Sequence, residues 1–280
     1  FFQPPPGIRP PRRAGWVGRW LKLPGRLPQK RRHHLNYFCE PEESVGGRKV
    51  ECARGKVVGG SSSINAMAHV RGNREDYNRL AEEGLADWSY RHVLPYFRRQ
   101  ETWKGETNAL RGDKGPLSVQ FCNYDDPLVD AFKIAGSDAG YPWTEDYNGK
   151  EQEGFARLQM TIGNGRRCSG AVAYLNPALS RPNLKIIVNA LATRIVIEDQ
   201  CAVGMEYFYQ GDIKKVRAER EVILSGGVIN SPQLLMLSGI GDPDRLTSYN
   251  IPSIIELPGV GRNLQDHVSV MLMYQRSDPG

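Results

Sequence analysis

The sequence predicts an α/β fold in which a parallel sheet, a β-meander and several helices pack together. Three observations support this prediction. Helix start and stop signals recur between residues 73 and 140, short β-branched and aromatic segments follow Pro182, and Glu221–Ser225 has the continuous hydrophobicity of a buried parallel strand. A chain of 280 residues is long enough for one large domain or two small ones.

Three helices are expected in the first half of the chain, each opened by a side chain that can accept a hydrogen bond from a free helix N–H group. Pro95 falls within the second helix and predicts a kink or a division into two pieces. Residues 103–127 and 141–182 carry many turn signals, so we expect irregular structure there. The expected helices and caps are Asn73 before Arg74–Glu83, Ser89 before Tyr90–Arg99, and Asp126 before a helix that Gly140 ends.

The second half is expected to form a meander of short strands, followed by the buried strand and another helix. The double glycine Gly226-Gly227 breaks the apolar strand, and Ser231 is a suitable N-cap for a helix with Pro232 at its first position. The meander strands are predicted at Leu184–Val188, Arg194–Glu198, Ala202–Tyr209 and Lys214–Ala218.

The net charge of +6 arises from one short segment. Residues 1–34 contain nine Lys or Arg, seven prolines and no acidic residue, whereas the remaining 28 basic residues face all 31 acidic ones. This composition predicts an irregular tail that is able to bind phosphate electrostatically. Because the basicity does not belong to a folded surface, we expect no nucleic-acid partner.

The five cysteines are widely scattered, and no pair has the spacing of a metal site. No apolar run approaches the roughly 20 residues that a membrane-spanning helix requires, and the N-terminal stretch does not resemble a secretory signal. We therefore expect free thiols, no bound metal and no transmembrane segment. The expected location is cytoplasmic, with peripheral membrane association left open.

The segment Gly59-Gly60-Ser61-Ser62-Ser63-Ile64-Asn65 is the first motif with chemical potential. Adjacent glycines let the backbone approach a ligand closely, successive N–H groups form an anion-binding concavity, and three hydroxyls and an amide add donors. Taken alone, the motif is more typical of a flexible turn.

Two further segments combine glycines with polar groups. The strand-to-helix junction from Glu221 to Gly241 is either a ligand-binding edge of an α/β sheet or a simple packing unit. Leu257–His267 ends on Asp266-His267, a neighbouring pair that is more often structural than catalytic. The sequence contains no nucleophile elbow, P-loop or HExxH motif.

Taken together and in this order, these segments resemble the glucose–methanol–choline (GMC) oxidoreductase family. Gly55–Tyr77 is similar to the first signature of that family, and Asn230–Gly241 is similar to the second. The resemblance runs from about residue 35 to residue 280. Four other stretches resemble those shared by the family's choline dehydrogenases and bacterial alcohol dehydrogenases: Asp146–Gly149, Gln152–Phe155, Arg181–Leu184 and Asn263–His267.

The resemblance implies a Rossmann-like, FAD-binding parallel sheet with a β-meander, interleaved with part of a substrate domain at about residues 120–182. It divides the chain into a non-matching tail, residues 1–34, and an FAD-binding region, residues 35–280. Some relatives attach FAD through a histidine where this chain has Ile64, which implies non-covalent FAD. The implied FAD contacts are Val57, Gly59, Gly60, Ser61, Asn65, Ala66, Met67, Ala68 and, at the adenine, Ala192.

The implied activity is oxidation of a small-molecule alcohol, choline-like or an alkanol, to an aldehyde or ketone by hydride transfer to flavin N5. The family's opening Gly-x-Gly-x-x-Gly turn is missing from residues 1–34, and its catalytic histidine lies beyond Gly280. We therefore expect an incomplete, inactive fragment and assign no catalytic residue; the electron acceptor stays open. The alternatives are the family's lyase branch and a non-catalytic or pseudogene product with a basic, phosphate-binding tail.

Overall fold

The computed structural model describes residues 33–122, 126–267, 269–270 and 272. The chain forms two compact units that join between Ile186 and Ile187. The basic tail expected at residues 1–34 lies outside the described residues except for its last two positions. Those two positions belong to folded structure, because the His33 carbonyl accepts from Lys56 N at 2.8 Å and buried His34 bridges to Gly55.

The first unit opens with a short antiparallel hairpin. Strand β1, Tyr37–Phe38, pairs with strand β2, Glu51–Cys52, so that Tyr37 faces Cys52. The connection contains a 3₁₀ turn at Glu43–Val45, which ends on a glycine in the left-handed region. The hairpin leads directly into the glycine–serine segment.

Three helices follow, as the sequence predicts: α1 at Arg74–Glu82, α2 at Tyr90–Gln100 and α3 at Pro127–Asp138. Asn73 caps α1 by accepting from Glu75 N at 2.9 Å, and Asp126 caps α3 in the same way. The expected division of α2 at Pro95 is wrong, since the helix runs through it as one piece. A proline removes only one main-chain donor, and here the helix tolerates that loss.

A mixed sheet forms the core of the first unit. Its order is β3–β4–β5, with β3 and β4 parallel and β4 and β5 antiparallel; β6 and β7 make a separate hairpin. Val119 in β4 is fully buried between its neighbours. The loop predicted across residues 103–127 is therefore wrong for β4, which pairs with two strands of the sheet. The strands are β3 Glu101–Trp103, β4 Leu117–Phe121, β5 Gln159–Met160, β6 Ile162–Gly163 and β7 Arg166–Arg167. A π-helical turn at Ala171–Leu175 and helix α4 at Asn176–Ala178 close the unit.

The second unit is built on the predicted meander. Strands β8, β9 and β10 pair antiparallel in the order β10–β9–β8. Their bounds are Leu191–Glu198, Cys201–Tyr209 and Asp212–Arg217. The first of the four predicted strands, Leu184–Val188, is wrong, because that stretch is exposed or half-buried and pairs with no strand in the described part of the chain.

The segment after the meander also departs from prediction. Glu221–Ser225 is not a strand, and Ile223 is 76% exposed. An apolar run becomes a parallel strand only beside partner strands, and within the described residues none pairs with it. Helix α5 spans Gly227–Leu237, so it begins four residues before the predicted cap and contains Pro232 in its interior. The Ser238 hydroxyl accepts from Ile195 N at 2.8 Å and ties α5 to β8.

The predicted α/β class is confirmed, because helices and strands alternate and both parallel and meander pairing occur. Besides β3–β4, a second parallel pair joins β11, Ile240–Gly241, to β12, Ile255–Glu256, across helix α6, Pro243–Ser248. Within the described residues, no helix combines the length and apolar composition needed to cross a membrane.

Candidate cofactor-binding segment

The glycine–serine motif folds as a tight 3₁₀ turn at Gly60–Ser63. Gly59 and Gly60 adopt φ values of +91° and +58°, in the left-handed region that favours glycine. The chain just before the turn packs against it so closely that a Cβ atom on Gly55 would lie 2.5 Å from the Gly60 carbonyl oxygen. The turn is therefore a fixed structure supported from behind, rather than a flexible linker.

Two of the three serine hydroxyls hold the turn together. The Ser62 hydroxyl donates to Gly59 O at 2.5 Å and accepts from Gly170 N at 2.8 Å. The Ser63 hydroxyl donates to Val58 O at 2.9 Å. The expectation that all three hydroxyls donate to a ligand is therefore wrong for these two. Ser61 is exposed, and its hydroxyl oxygen accepts from Gly55 N at 3.1 Å, a contact that does not use the hydroxyl hydrogen.

Asn65 follows the turn with its side-chain amide in a defined orientation. Its Oδ1 atom accepts from Met67 N at 3.1 Å and from Arg167 Nη1 at 2.7 Å. A backbone N–H and a guanidinium can only donate, so the atom between them must be the amide oxygen. The exposed Asn65 therefore directs its NH₂ group away from these partners.

Arg167 connects the turn to strand β7. The Arg167 Nη1 atom that meets Asn65 also donates to Ser62 O at 3.2 Å. Desolvation lowers the pKa of Arg167 from its ordinary value, although the guanidinium stays charged at neutral pH. A single side chain thus fixes two positions of the segment.

The rest of the segment runs along the edge of the first-unit sheet. Thr161 N donates to Met67 O and His69 N donates to Gln159 O, both at 2.9 Å. Met67 is buried in the left-handed region with φ +66°, while Ala66 and Ala68 are exposed on either side of it. Residues 66–68 therefore present small side chains and backbone to solvent.

Behind the segment lies a buried ionic cluster that the sequence analysis did not identify. Glu101 is fully buried and forms ion pairs with Arg71 and Arg111. Its Oε2 atom also lies 3.2 Å from His69 Nε2, within hydrogen-bond distance. Its carboxylate also accepts from Gly112 N at 3.0 Å. In the sequence, Arg71 and Arg111 stand beside glycines and polar residues, as exposed arginines do, so no local pattern reveals their shared partner.

The environment of Glu101 keeps its carboxyl group ionised. Burial alone raises the pKa, but hydrogen bonds from His69, Arg111 and the Gly112 backbone, with the charge of Arg71, outweigh burial and lower the pKa to about 2. The cluster extends outward because Arg111 Nη1 also meets Asp146 Oδ1 at 2.6 Å. The contact between His69 Nε2 and Glu101 holds His69, the residue after Ala68, in the same cluster.

The remaining predicted positions lie apart from this segment in the chain. Ala192 pairs with Tyr207 in the meander of the second unit, directly before a register shift that displaces Thr193. Asp266 accepts from His267 N at 2.8 Å through its side chain, and both residues are exposed. The contact involves the His267 backbone N–H and not its imidazole ring. It therefore does not orient the ring for proton transfer to Asp266.

Two further observations concern ligands. In the described part of the chain, no group of three or more His, Cys, Asp or Glu side chains is arranged to hold a metal ion. A polar cleft of about 250 Å³ lies beside the start of α1, where Arg71, Asn73, Tyr147 and Gln152 line it. None of the predicted cofactor contacts lines that cleft.

The solved structures that this chain is similar to include an oxidase and an FAD-dependent oxidoreductase. The chain is similar to pyridoxine 4-oxidase from Mesorbium loti, with a TM-score of 0.79 and 32% identity, covering 89% of this chain and 48% of that one. It is also similar to an FAD-dependent oxidoreductase from Chaetomium thermophilum, with a TM-score of 0.79 and 29% identity over 84% of this chain and 43% of that one.

The family follows from the sequence match. Residues 41–269 match the family model described as GMC oxidoreductase, and the chain belongs to that family. It is 48% identical over 248 residues to the mitochondrial choline dehydrogenase of Mus musculus, covering 89% of this chain and 42% of that protein. It is 46% identical over 266 residues to the oxygen-dependent choline dehydrogenase of Brucella anthropi, covering 94% of this chain and 48% of that protein. The chain spans less than half the length of these relatives.

Proposed function

We propose that this chain supplies the FAD-binding part of an enzyme that oxidises an alcohol to an aldehyde or ketone. The observation that carries the proposal is the structure of segment 57–68, which hydrogen bonds of Ser62 and Arg167 hold in place. Its exposed side chains are all short: Val58, Ser61, Asn65, Ala66 and Ala68. FAD, when bound, supplies a hydride acceptor, which no amino-acid side chain can provide. Family membership supports both the cofactor and the reaction class.

The residues of the segment fit an extended, polar cofactor. The left-handed glycines allow the backbone to approach a ligand, and Ser61, Asn65, Ala66 and Ala68 are exposed. Ile64 has no nucleophilic atom, which supports non-covalent FAD. The proposed contacts are Val57, Gly59, Gly60, Ser61, Asn65, Ala66, Met67 and Ala68, with Ala192 at the adenine.

Within this segment, Asn65 is the residue best prepared for a specific role. Because Met67 N and Arg167 hold its oxygen, its NH₂ group is presented as a donor toward an electron-rich atom of the flavin or the substrate. Prepositioned donors of this kind stabilise negative charge without reorganisation. Arg167 acts as a positioning residue for this donor.

The substrate we propose is choline-like or an alkanol, in line with the choline dehydrogenases among the relatives. We propose a cytoplasmic location, with peripheral membrane association as the alternative. Free thiols at the cysteines support a reducing compartment.

The test is a titration of the purified, folded chain with FAD, followed by tryptophan fluorescence and by flavin absorbance after gel filtration. We expect saturable binding. The Arg167→Gln variant should bind about tenfold more weakly or worse, since a charge-assisted hydrogen bond contributes roughly 1.5–3 kcal/mol.

Arg166→Gln is the matched control, because Arg166 is the exposed neighbour of Arg167 in β7 and carries the same charge. Its affinity for FAD should stay within about twofold of the original chain. Absence of saturable binding in a chain whose circular dichroism shows it to be folded would contradict the proposal.

A further inference from the structure

Two cysteines lie in contact at the start of the first unit. The Sγ atoms of Cys39 and Cys52 are 3.3 Å apart and share a hydrogen bond. Cys52 is the last residue of β2, and Cys39 directly follows β1, with its N–H donating to Val50 O at 2.8 Å. The two side chains therefore lie on the same face of the hairpin as diagonal neighbours.

The hairpin allows the sulfurs to approach further. A disulfide places its sulfurs about 2.05 Å apart, so the pair must close by little more than an ångström. The strands are only two residues long, and Gly46 and Gly47 in the connection adopt left-handed conformations. Because the two strands share few hydrogen bonds, little opposes a small sliding movement of one strand past the other.

The resting state of the pair is a dithiol that solvent can reach. Both cysteines are half-buried. The hydrogen bond to Cys52 raises the pKa of Cys39, with burial and the Cys52 and Glu42 charges acting in the same direction. In the reduced pair, this environment favours the protonated thiol of Cys39.

We propose that Cys39 and Cys52 form a peroxide-sensitive dithiol that closes to a disulfide across the β1–β2 hairpin. One cysteine, reacting as its thiolate, attacks hydrogen peroxide and breaks the O–O bond, which gives a sulfenic acid and, after uptake of one proton, one water. The second thiol attacks that sulfur, forms the S–S bond and releases a second water. Peroxide is the oxidant, and a thiol reductant restores the pair.

Closure of this bond acts on the segment that follows. Three residues after Cys52, Gly55 packs under Gly60, and its N–H donates to the Ser61 hydroxyl at 3.1 Å. A disulfide at the end of β2 therefore limits the movement of residues 53–55, which connect β2 to the glycine–serine turn and support it. Disulfide formation between Cys39 and Cys52 does not require bound flavin, so this proposal is independent of the proposed function.

The experiment treats the reduced, folded chain with a small excess of hydrogen peroxide, blocks remaining thiols with an alkylating agent and maps peptides by mass spectrometry. We expect a peptide pair that joins Cys39 to Cys52, with a mass decrease equal to two hydrogen atoms and reversal by dithiothreitol. The same treatment in denaturant measures the linkage that short sequence separation alone produces. The proportion of chains with linked Cys39 and Cys52 should be at least tenfold higher in native conditions than in denaturant.

Cys39→Ser and Cys52→Ser should each abolish the linkage, and Cys201→Ser is the matched control because Cys201 is an exposed thiol in β9. Cys201→Ser should leave the linkage unchanged. Equal proportions in native and denaturing conditions, or full alkylation of both cysteines after peroxide treatment of the folded chain, would overturn the proposal.

Discussion

Glu101 illustrates how one buried charge organises residues that are distant in sequence. Its carboxylate meets Arg71, 30 residues before it, and Arg111, 10 residues after it. Because His69 and Arg71 lie within three residues of Ala68, the cluster holds the end of the proposed cofactor segment against the core. A buried carboxylate tolerates this position only while its donors remain in place.

Replacing Glu101 by Gln should destabilise the chain by about 3 kcal/mol at pH 7, since two buried guanidinium groups lose their shared counter-charge. The folded pKa of about 2 lies below the unfolded value of 4.5. A depressed pKa contributes stability above pH 4.5 that is lost as the pH falls toward 2. Urea unfolding at several pH values should therefore show the two proteins converging across that window.

Glu198→Gln is the control for this prediction. Glu198 forms an exposed pair with Arg217, so water and salt screen the interaction, and stability at pH 7 should change little. Equal losses of stability in the two variants would argue against a special role for the buried cluster.

The helix starts show which local signals decide an element. Asn73 caps α1 as its sequence position predicts, and its amide also donates to Gln152 at 2.9 Å. Ser89 occupies the corresponding position before α2, but its hydroxyl contacts His92 Nδ1 at 2.8 Å and makes no cap hydrogen bond. Two good capping residues thus have different roles.

Asn73→Ala should lower the free energy of unfolding by about 1 kcal/mol, because a helix N–H loses its acceptor. Thermal and urea unfolding monitored by circular dichroism would measure the change. The matched variant Ser89→Ala should cost about 0.5 kcal/mol or less, since it removes no cap. A larger effect for Ser89 than for Asn73 would show that the cap geometry is misassigned.

The chain as a whole is organised around the boundary between Ile186 and Ile187. Residues 180–186 are exposed, and residues 185–190 have no regular secondary structure. Such connections between compact units are preferred sites of proteolytic nicking. Lys185, next to the boundary, is an exposed tryptic site.

Limited trypsin digestion should therefore cut after Lys185 and release two resistant fragments, with cuts in residues 1–32 scored separately. Intact mass spectrometry would identify the fragments. Lys185→Gln should slow this cleavage about tenfold or more without changing unfolding. Earlier cleavage at the exposed Lys214 or Arg217 of β10 would contradict this division of the chain.

The amino-acid sequence by itself determined the features that depend on neighbouring residues. Asn73 and Asp126 cap helices, Gly59 and Gly60 adopt left-handed conformations, and β8 to β10 form a meander. Each depends on backbone preferences and hydrogen bonds that act within a few residues. The family signatures were readable for the same reason, because they are contiguous segments.

Only the tertiary structure decided which distant groups meet. It joined Asn65 to Arg167 across 102 residues and made β4 a strand where a loop was expected. It also left the apolar Glu221–Ser225 without a pairing strand among the residues that the structure describes. The physical reason is that a strand or a buried charge is stable only beside its partners, and pairing across the fold leaves no local pattern in the sequence.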